Sequence, residues 1–248
     1  MQQHGPHNLE IEEAALRAWP AEQQLLFDGW VARLSDGYTK RANSALLLYP
    51  QPESDHLATV ARIEQLYRSL QLPVIFRLLS FTTPPDLDSW LENRGYREAD
   101  RTLVMTHVIA ESAQFDDDVS VLDLDEGIEA HARMNNLSAA ILPSHRRILE
   151  RIPTGLTFFG LHEKETLVAC GLSVTDGGLV GLFGIVTDPN YRRRGHAARL
   201  VRGMLAQGVQ DGASTAYLQV VMSNTPAIAL YESLGFREAY RYAYRIRD

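Results

Sequence analysis

Arg192 to Gly195 place three arginines and a glycine between an apolar run and an amphipathic pattern. The apolar run, 179–186, has the length of a buried strand and precedes the turn residues Asp188-Pro189-Asn190. After Gly195, apolar residues recur at three- and four-residue spacing, which predicts a helix. A strand, a basic turn and a helix in this order can bind a phosphate, because the first helical turn offers unpaired N–H groups and partial positive charge.

The turn and the first helical turn combine positive charge with small side chains. Gly195 lets an anion approach the backbone closely. The residues predicted to hold a pyrophosphate are Arg192, Arg193, Arg194, Gly195, His196, Ala197 and Ala198. The segment lacks the Lys-Ser/Thr of a P-loop and the three glycines of a dinucleotide-binding turn. The structural alternative is a basic turn that caps an ordinary surface helix.

The spacing Arg192-x-x-Gly195-x-Ala197 resembles the acyl-CoA signature of the GNAT superfamily of N-acyltransferases, Gln/Arg-x-x-Gly-x-Gly/Ala. A second superfamily block, Asn-x-x-Ala-x-x-Leu-Tyr-x-x-x-Gly-Phe, is matched from Asn224 to Phe236. The two blocks occur in the usual order and at a usual separation. Residues from about 119 to 248 are therefore identified as a member of this superfamily.

The resemblance implies an α/β fold, with a mixed, mostly antiparallel sheet flanked by helices, and acetyl-CoA as acyl donor. It implies that Ile185 and Val186 pair with the pantetheine arm like an added strand, where an amide can also stabilise the oxyanion. It further implies that Tyr231 protonates the departing thiolate and that Asn224 binds the pantetheine or a water. From the residues alone, Tyr231 can equally be a core tyrosine with a local hydroxyl partner, and Asn224 a helix cap.

The general base is not identified by the sequence. The strand predicted over 179–186 contains no carboxylate, and Asp188 has the position of a turn former. Other candidates are His145, His162, Glu126 and Gln219. Deprotonation through ordered water would need no single residue.

The composition limits the class of protein. The 248 residues carry a formal net charge of -7, which disfavours binding to nucleic acid through phosphate neutralisation. The single Cys170 excludes an internal disulfide framework, and no His/Cys cluster has zinc-ligand spacing. We find no leader and no apolar run of membrane-spanning length. We therefore expect a cytoplasmic monomer or homodimer with no metal and no membrane partner.

Periodicity and turn residues predict the remaining elements. Helices are expected over 9–19, 55–70, 84–93, 126–134 and 138–152, the last interrupted by Pro143. Strands are expected over 29–34, 45–49, 73–79, 101–109, 119–124, 157–162, 167–174, 217–222 and 237–246. The mixed pattern over 21–28 is interpreted as a turn or short helix.

The two halves of the chain share a short motif. Gly95 to Ala99 reads G-Y-R-E-A, and Gly235 to Ala239, 140 residues later, reads G-F-R-E-A. At this offset the helix predicted from Asp55 falls on the one predicted from Gly195. An internal repeat is predicted, the alternative being coincidence in a pentapeptide.

The predicted domains are a tail over 1–8, a degenerate GNAT-like domain over 9–112, a linker over 113–118 and a catalytic domain over 119–248. The first domain has the acidic segment Pro52-Glu53-Ser54-Asp55 in place of the basic loop, and Leu91 in place of Tyr231. We expect it to bind no CoA and to wall the acceptor pocket.

The expected function is acetyl-CoA-dependent acetylation, by direct attack in a ternary complex, of a primary amine on a small molecule, amino acid or peptide. The alternative is a CoA-binding or sensory protein of the same fold without turnover.

Overall fold

The computed structural model describes residues 8–51, 53, 55–110, 118–153 and 155–248. The helices are α1 (Asn8–Ala18), α2 (His56–Ser69), α3 (Leu87–Asn93), α4 (Leu124–Asn135), α5 (Leu142–Glu150), α6 (His196–Gln210) and α7 (Thr225–Ser233). The strands are β1 (Gln23–Phe27), β2 (Trp30–Leu34), β3 (Ala45–Leu47), β4 (Val74–Leu79), β5 (Arg97–Val108), β6 (Val119–Leu122), β7 (Leu156–Glu163), β8 (Thr166–Asp176), β9 (Leu179–Thr187), β10 (Thr215–Val221) and β11 (Arg237–Arg247).

The described strands form one mixed sheet in the order β1-β2-β3-β4-β11-β5-β10-β9-β8-β7-β6. Neighbouring strands are antiparallel except β3 with β4 and β9 with β10. Helices cover the sheet, and apolar clusters fill the space between the layers. The predicted α/β class with a mostly antiparallel mixed sheet is confirmed. In the part of the chain that the structure describes, every helix is too short or too polar to cross a lipid bilayer.

Strands from the two halves of the chain alternate at the centre of the sheet. Strand β5 lies between β10 and β11, and β11 lies between β4 and β5, with antiparallel pairing throughout. The order α2-β4-α3-β5 recurs as α6-β10-α7-β11, each element starting within two residues of a 140-residue offset. The division into two domains stays a prediction, and the central strands do not separate into two sheets.

The sequence interpretation was wrong over 21–28. These residues form β1 and the turn of a hairpin with β2, in which Phe27 is opposite Trp30. The turn residues Asp28 and Gly29 have φ values of 45° and 83°. Asp-Gly is a favoured two-residue hairpin turn, but the apolar run before it has no clear alternation. A Cβ at position 29 would lie 2.0 Å from the Tyr49 carbonyl oxygen, so only glycine fits.

Smaller differences concern element ends. Helix α3 starts at Leu87, after both prolines, and β5 starts at Arg97 instead of 101. Pro143 lies in the first turn of α5, where the missing N–H costs nothing, and a 3₁₀ turn at Ala139–Ile141 precedes it. Residues 1–7 of the predicted tail and 113–117 of the predicted linker lie outside the described residues.

A buried ion pair joins the first helix to the centre of the sheet. The Arg77 Nη1 and Nη2 atoms on β4 donate to the Glu12 carboxylate on α1 at 2.5 and 3.0 Å. The Tyr240 hydroxyl on β11 donates to the same carboxylate at 2.6 Å. Glu12 and Arg77 are both at most 1% exposed. One buried carboxylate therefore holds α1, β4 and β11 together.

Removing one partner should be costly because it leaves the other charge buried without compensation. We expect Glu12→Gln to lower the free energy of unfolding by about 3–5 kcal/mol. Glu238→Gln is the matched control, because the Glu238–Arg241 pair has the same 2.5 Å separation but is exposed. It should cost at most about 1 kcal/mol. Urea unfolding would measure both, and equal losses would contradict the structural role of Glu12.

Candidate active site

The connection from β9 to α6 presents backbone amides to solvent. The Asp188 carboxylate accepts a hydrogen bond from the Asn190 amide at 2.9 Å, as expected of a turn former. Arg193 and Gly195 have left-handed backbone, with φ values of 62° and 82°. The Arg199 amide donates to the Gly195 carbonyl at 3.1 Å, so the amides just before it lack intrahelical acceptors. Amides in this position can bind an anion, which is what the sequence predicts for this turn.

Strands β9 and β10 separate just before Ile185 and Val186, the two residues predicted to pair with the pantetheine arm. Parallel pairing of β9 with β10 ends at Leu182 opposite Leu218. In the pairing of β9 with β8, Phe183 faces Leu172 and Val186 faces Cys170, so two residues of β9 oppose one of β8. Gly184, with φ of 59°, is one of the two, so the strand has a β-bulge at this position. After Leu182, the edge of β9 that faces β10 is thus free to pair with an extended ligand.

A cleft of about 650 Å³ runs along this free edge to the start of α6. Its lining residues are Ile185, Val186, Thr187, Tyr191, Arg192, Arg193, Gly195, His196, Ala197, Ala198, Asn224, Pro226, Ala227 and Leu230. Every residue predicted to bind the cofactor is among them except Arg194. The cleft places backbone amides, two arginines and a free strand edge around one space.

The Arg194 side chain is directed elsewhere. Its guanidinium lies over the Tyr191 ring, 5.1 Å from the centroid, and Nη1 is 3.7 Å from a Glu163 carboxylate oxygen. The buried His196 Nε2 lies 3.1 Å from the same Glu163 oxygen, without hydrogen-bond geometry. Glu163 therefore offsets part of the positive charge beside the cleft.

A second cavity, of about 400 Å³, lies on the other side of the separated strands. Its lining residues are Trp19, Tyr38, Thr39, Arg41, His131, His145, Leu172, Leu182, Phe183, Gly184, Ile185, Leu218, Gln219, Val220, Val221, Asn224, Ala227 and Tyr231. The two spaces share Ile185, Asn224 and Ala227. A group bound in one space can thus reach the other at these residues.

Tyr231 lines the second cavity from α7. Its ring packs edge-on against Phe236, with centroids 5.9 Å apart. Burial raises the pKa of the Tyr231 hydroxyl to about 12, so it carries its proton at neutral pH. Among the described residues, none makes a hydrogen bond to this hydroxyl. The local partner that a purely structural tyrosine would use is therefore not seen.

Asn224 has the position of a helix cap. Its side-chain oxygen accepts a hydrogen bond from the Ala227 amide at 3.3 Å, at the start of α7. The side chain also borders both spaces. The capping role expected from the residues is thus present at a position that borders both spaces.

Of the four candidate bases, two line the second cavity and two do not. His145 and Gln219 line the second cavity, although the Gln219 Oε1 accepts a hydrogen bond from the Tyr242 hydroxyl at 3.0 Å. Glu126 belongs to the capping box of α4. The His162 Nδ1 lies 3.4 Å from the Ser120 hydroxyl. Neither Glu126 nor His162 lines either space.

His131 is a cavity residue that the sequence did not single out. Its ring centroid is 5.3 Å from that of His145, and a Cβ on Gly184 would lie 2.9 Å from its Nε2. Burial lowers the pKa of both imidazoles, that of His145 to about 4 with a smaller contribution from His131. Both are therefore neutral near pH 7, and a neutral imidazole can accept a proton. A lone histidine on a helix has no spacing motif that would have identified it.

The N-terminal half closes one side of the cavity with Trp19, Tyr38, Thr39 and Arg41. The Trp19 Nε1 donates to the Thr39 hydroxyl at 3.0 Å. The Trp19 and Tyr38 rings lie 6.0 and 5.7 Å from the His145 ring. The expectation that this half walls the pocket agrees with the geometry, but the individual residues were not predicted. Among the described residues, no three His, Cys, Asp or Glu side chains are grouped as metal ligands.

The buried His145 should make stability depend on pH. The pKa of His145 in the folded state, about 4, is below the ordinary histidine value of 6.5, so the unfolded chain binds one more proton between these pH values. Stability contributed by the neutral ring is complete above pH 6.5 and is lost as the pH falls towards 4. The loss is on the order of 3 kcal/mol.

His145→Phe keeps a ring against Trp19 and Tyr38 and removes this proton uptake. Urea unfolding of both proteins between pH 4 and 7.5 should show about 3 kcal/mol less acid-induced loss in the variant. Parallel curves for the two proteins would contradict burial of a neutral His145.

Comparison with known proteins gives a family match along most of the chain. Residues 9–245 match the family described as probable histone acetyltransferase Rv0428c, C-terminal. The uncharacterized N-acetyltransferase YobR of Bacillus subtilis is 31% identical over an alignment of 250 positions, which covers 96% of this chain and 98% of that protein. The probable histone acetyltransferase Rv0428c of Mycobacterium tuberculosis is 29% identical over an alignment of 238 positions, which covers 92% of this chain and 70% of that protein.

A solved structure has the same fold. The GCN5-related N-acetyltransferase from Kribbella flavida superposes with a TM-score of 0.76, covering 98% of this chain and 96% of that chain. Its sequence identity is 16%, so the likeness concerns the fold. The family match and the fold agree with the two sequence blocks that border the cleft.

Proposed function

The chain belongs to the GNAT superfamily and is an acetyltransferase enzyme, and we propose that it transfers the acetyl group of acetyl-CoA to a primary amine bound in the cavity beside Tyr231. One observation carries this proposal. The cleft and the cavity meet at Ile185, Asn224 and Ala227, where the strands separate. At this junction, the thioester of a ligand bound in the cleft would lie next to an amine bound in the cavity.

The cleft residues suit acetyl-CoA as a substrate. The pyrophosphate binds to the amides before Arg199, with Arg192 and Arg193 adding charge. The pantetheine arm pairs with Ile185 and Val186, whose edge β10 leaves free. An amide at this position can also donate to the oxygen of the thioester carbonyl as negative charge develops there.

The reaction forms an N–C bond and breaks a C–S bond. The amine must be neutral to attack, and it releases one proton after attack, while the thiolate takes up one proton as it leaves. The neutral His131 and His145 imidazoles face the cavity and can accept the proton from the amine. Tyr231 donates its proton to the thiolate, since its raised pKa keeps the hydroxyl protonated.

The N-terminal half is, in this proposal, a degenerate copy of the catalytic half. The recurrence of four elements at a 140-residue offset supports this origin. The Asp55 side chain accepts a hydrogen bond from the Ala58 amide at 2.9 Å, so a carboxylate occupies the helix end that would hold a phosphate. Pro52 and Ser54 of the predicted acidic segment lie outside the described residues. This half serves to close the acceptor cavity.

The acceptor is small in this proposal. The cavity holds about 400 Å³ and is bounded by residues of both halves, which suits a small amine better than an extended protein segment. Acetyl-CoA consumption and mass detection of product over a panel of amines, amino acids, peptides and a histone-tail peptide would test it. Acetyl-CoA binding without any acetylated product would instead indicate a sensory protein.

Tyr231→Phe tests the proposed chemistry. The variant keeps the ring against Phe236 and deletes one hydroxyl. We expect kcat to fall by about a hundred- to ten-thousand-fold, with acetyl-CoA binding little changed and the alkaline limb of the pH-rate profile altered. The measurements are steady-state kinetics and calorimetry.

Tyr217→Phe is the matched control. Tyr217 is also a buried tyrosine, packed 6.0 Å from the Phe183 ring, but it lines neither the cleft nor the cavity. Its variant should keep kcat within about threefold. If Tyr231→Phe turned over within about twofold of the unsubstituted protein, Tyr231 would be a packing residue and the acid would be another group.

A further inference from the structure

Arg41 is a cation of the acceptor cavity that forms no ion pair within the part of the chain that the structure describes. It belongs to the short 3₁₀ turn Lys40–Ala42 of the N-terminal half. Among the described residues, no carboxylate pairs with its guanidinium, and its Nε is buried without a hydrogen-bond acceptor. The adjacent Lys40 contrasts with it, because its ammonium pairs with Asp100 at 2.7 Å.

The Arg41 side chain is held by aromatic rings. Its guanidinium carbon is 5.4 Å from the centroid of Trp19 and 5.7 Å from that of Phe183. Phe183 directly precedes Gly184, the bulge residue against which His131 lies. Ring contacts stabilise a guanidinium but use none of its five N–H donors. Arg41 therefore presents unused donors close to the site of strand separation.

The surroundings of Arg41 have an excess of positive charge. Arg33 and Arg77 are buried nearby, and Glu12 is the carboxylate paired with Arg77. The Arg33 guanidinium is held by carbonyl oxygens of Leu16, Trp19 and Arg41, which bring no net charge. Burial, Arg77 and Arg41 lower the pKa of Arg33, which reaches about 10 despite the opposing effect of Glu12. A cluster of three cations and one carboxylate favours the arrival of an anion.

Resting on the proposed function, we propose that Arg41 binds a carboxylate of the acceptor, so that the substrate is an amine that also carries a carboxylate, of which an amino acid is the simplest example. The planar guanidinium matches a carboxylate with two parallel hydrogen bonds. The negative charge of the bound substrate would offset the excess positive charge of the cavity. The apolar wall formed by Trp19, Leu172 and Leu182 suits an uncharged side chain on the same molecule.

Acetylation rates of matched acceptor pairs test this inference. The panel contains L-amino acids, each with its α-carboxamide, together with β-alanine and phosphoethanolamine. The unsubstituted protein should prefer each accepted amino acid over its carboxamide in kcat/KM by about 10- to 100-fold. Arg41→Met should abolish this preference, because it should lower kcat/KM for each amino acid by about 10- to 100-fold more than for the matching carboxamide. Lys40→Met, which removes the neighbouring cation outside the cavity, should keep the preference.

Three outcomes would overturn the inference. The first is a preference of the unsubstituted protein for carboxamides or other uncharged amines. The second is a preference for phosphoethanolamine over every amino acid. The third is an equal loss of kcat/KM for both members of each pair in Arg41→Met, which would mean that Arg41 acts on the thioester.

Arg41→Lys keeps the charge without the planar fork and should recover only part of the preference.

A binding measurement separates this inference from the proposed function. N-acetyl-L-amino acids of the same panel and their methylamides are titrated calorimetrically into the full chain saturated with CoA. The carboxylates should bind more tightly than the methylamides, and Arg41→Met should remove the difference. If no amine is acetylated but this difference is found, the proposed function fails and the carboxylate site stands. If the carboxylates and the methylamides bind alike, the carboxylate site is wrong.

Discussion

The molecule depends on the backbone pairing of β5 with β10 and β11. A strand of the N-terminal half is inserted between two strands of the C-terminal half, and β11 is inserted between β4 and β5 in return. The backbone hydrogen bonds at the centre of the sheet therefore join strands of one half to strands of the other. The buried Glu12–Arg77 pair with Tyr240 adds α1 to this arrangement. The halves cannot separate without exposing strand edges and breaking the hydrogen bond from Tyr240 to the buried Glu12 carboxylate.

The pairing of strands from the two halves also determines where the candidate active site lies. Strand β5 pairs with one edge of β10, whereas the other edge of β10 pairs with β9 only as far as Leu182. The bulge at Gly184 follows directly after this point. The gap becomes the place where cleft and cavity meet. The same interleaving brings Trp19 and Arg41 against the C-terminal half. The second half thus supplies the cleft proposed for acetyl-CoA and Tyr231, while the first half supplies one wall of the cavity and the Arg41 cation.

The sequence predicted those features that depend on residues close together in the chain. The basic loop and the start of α6 followed from spacing, glycine and apolar runs, the fold class followed from the resemblance to the superfamily, and most elements agree within a few residues. The hairpin at Asp28-Gly29 was missed because the residues before it do not alternate. His131, Trp19 and Arg41 could not be identified, since each is an isolated residue that becomes part of a cavity only through long-range strand pairing. The 140-residue repeat predicted similarity between the halves but not the exchange of β5 and β11.

The central claim is that two similar halves build one cofactor site, located at the loop before α6. Calorimetric titration with acetyl-CoA tests it on the unsubstituted chain, Gly195→Val and Gly95→Val. Gly195 and Gly95 have φ values of 82° and 83° with open space around each Cβ position, so both variants carry the same backbone strain. We expect one site per chain, at least tenfold weaker binding in Gly195→Val because the side chain blocks close approach of the pyrophosphate, and unchanged binding in Gly95→Val. Two sites per chain, or equal affinities in the two folded variants, would contradict the account.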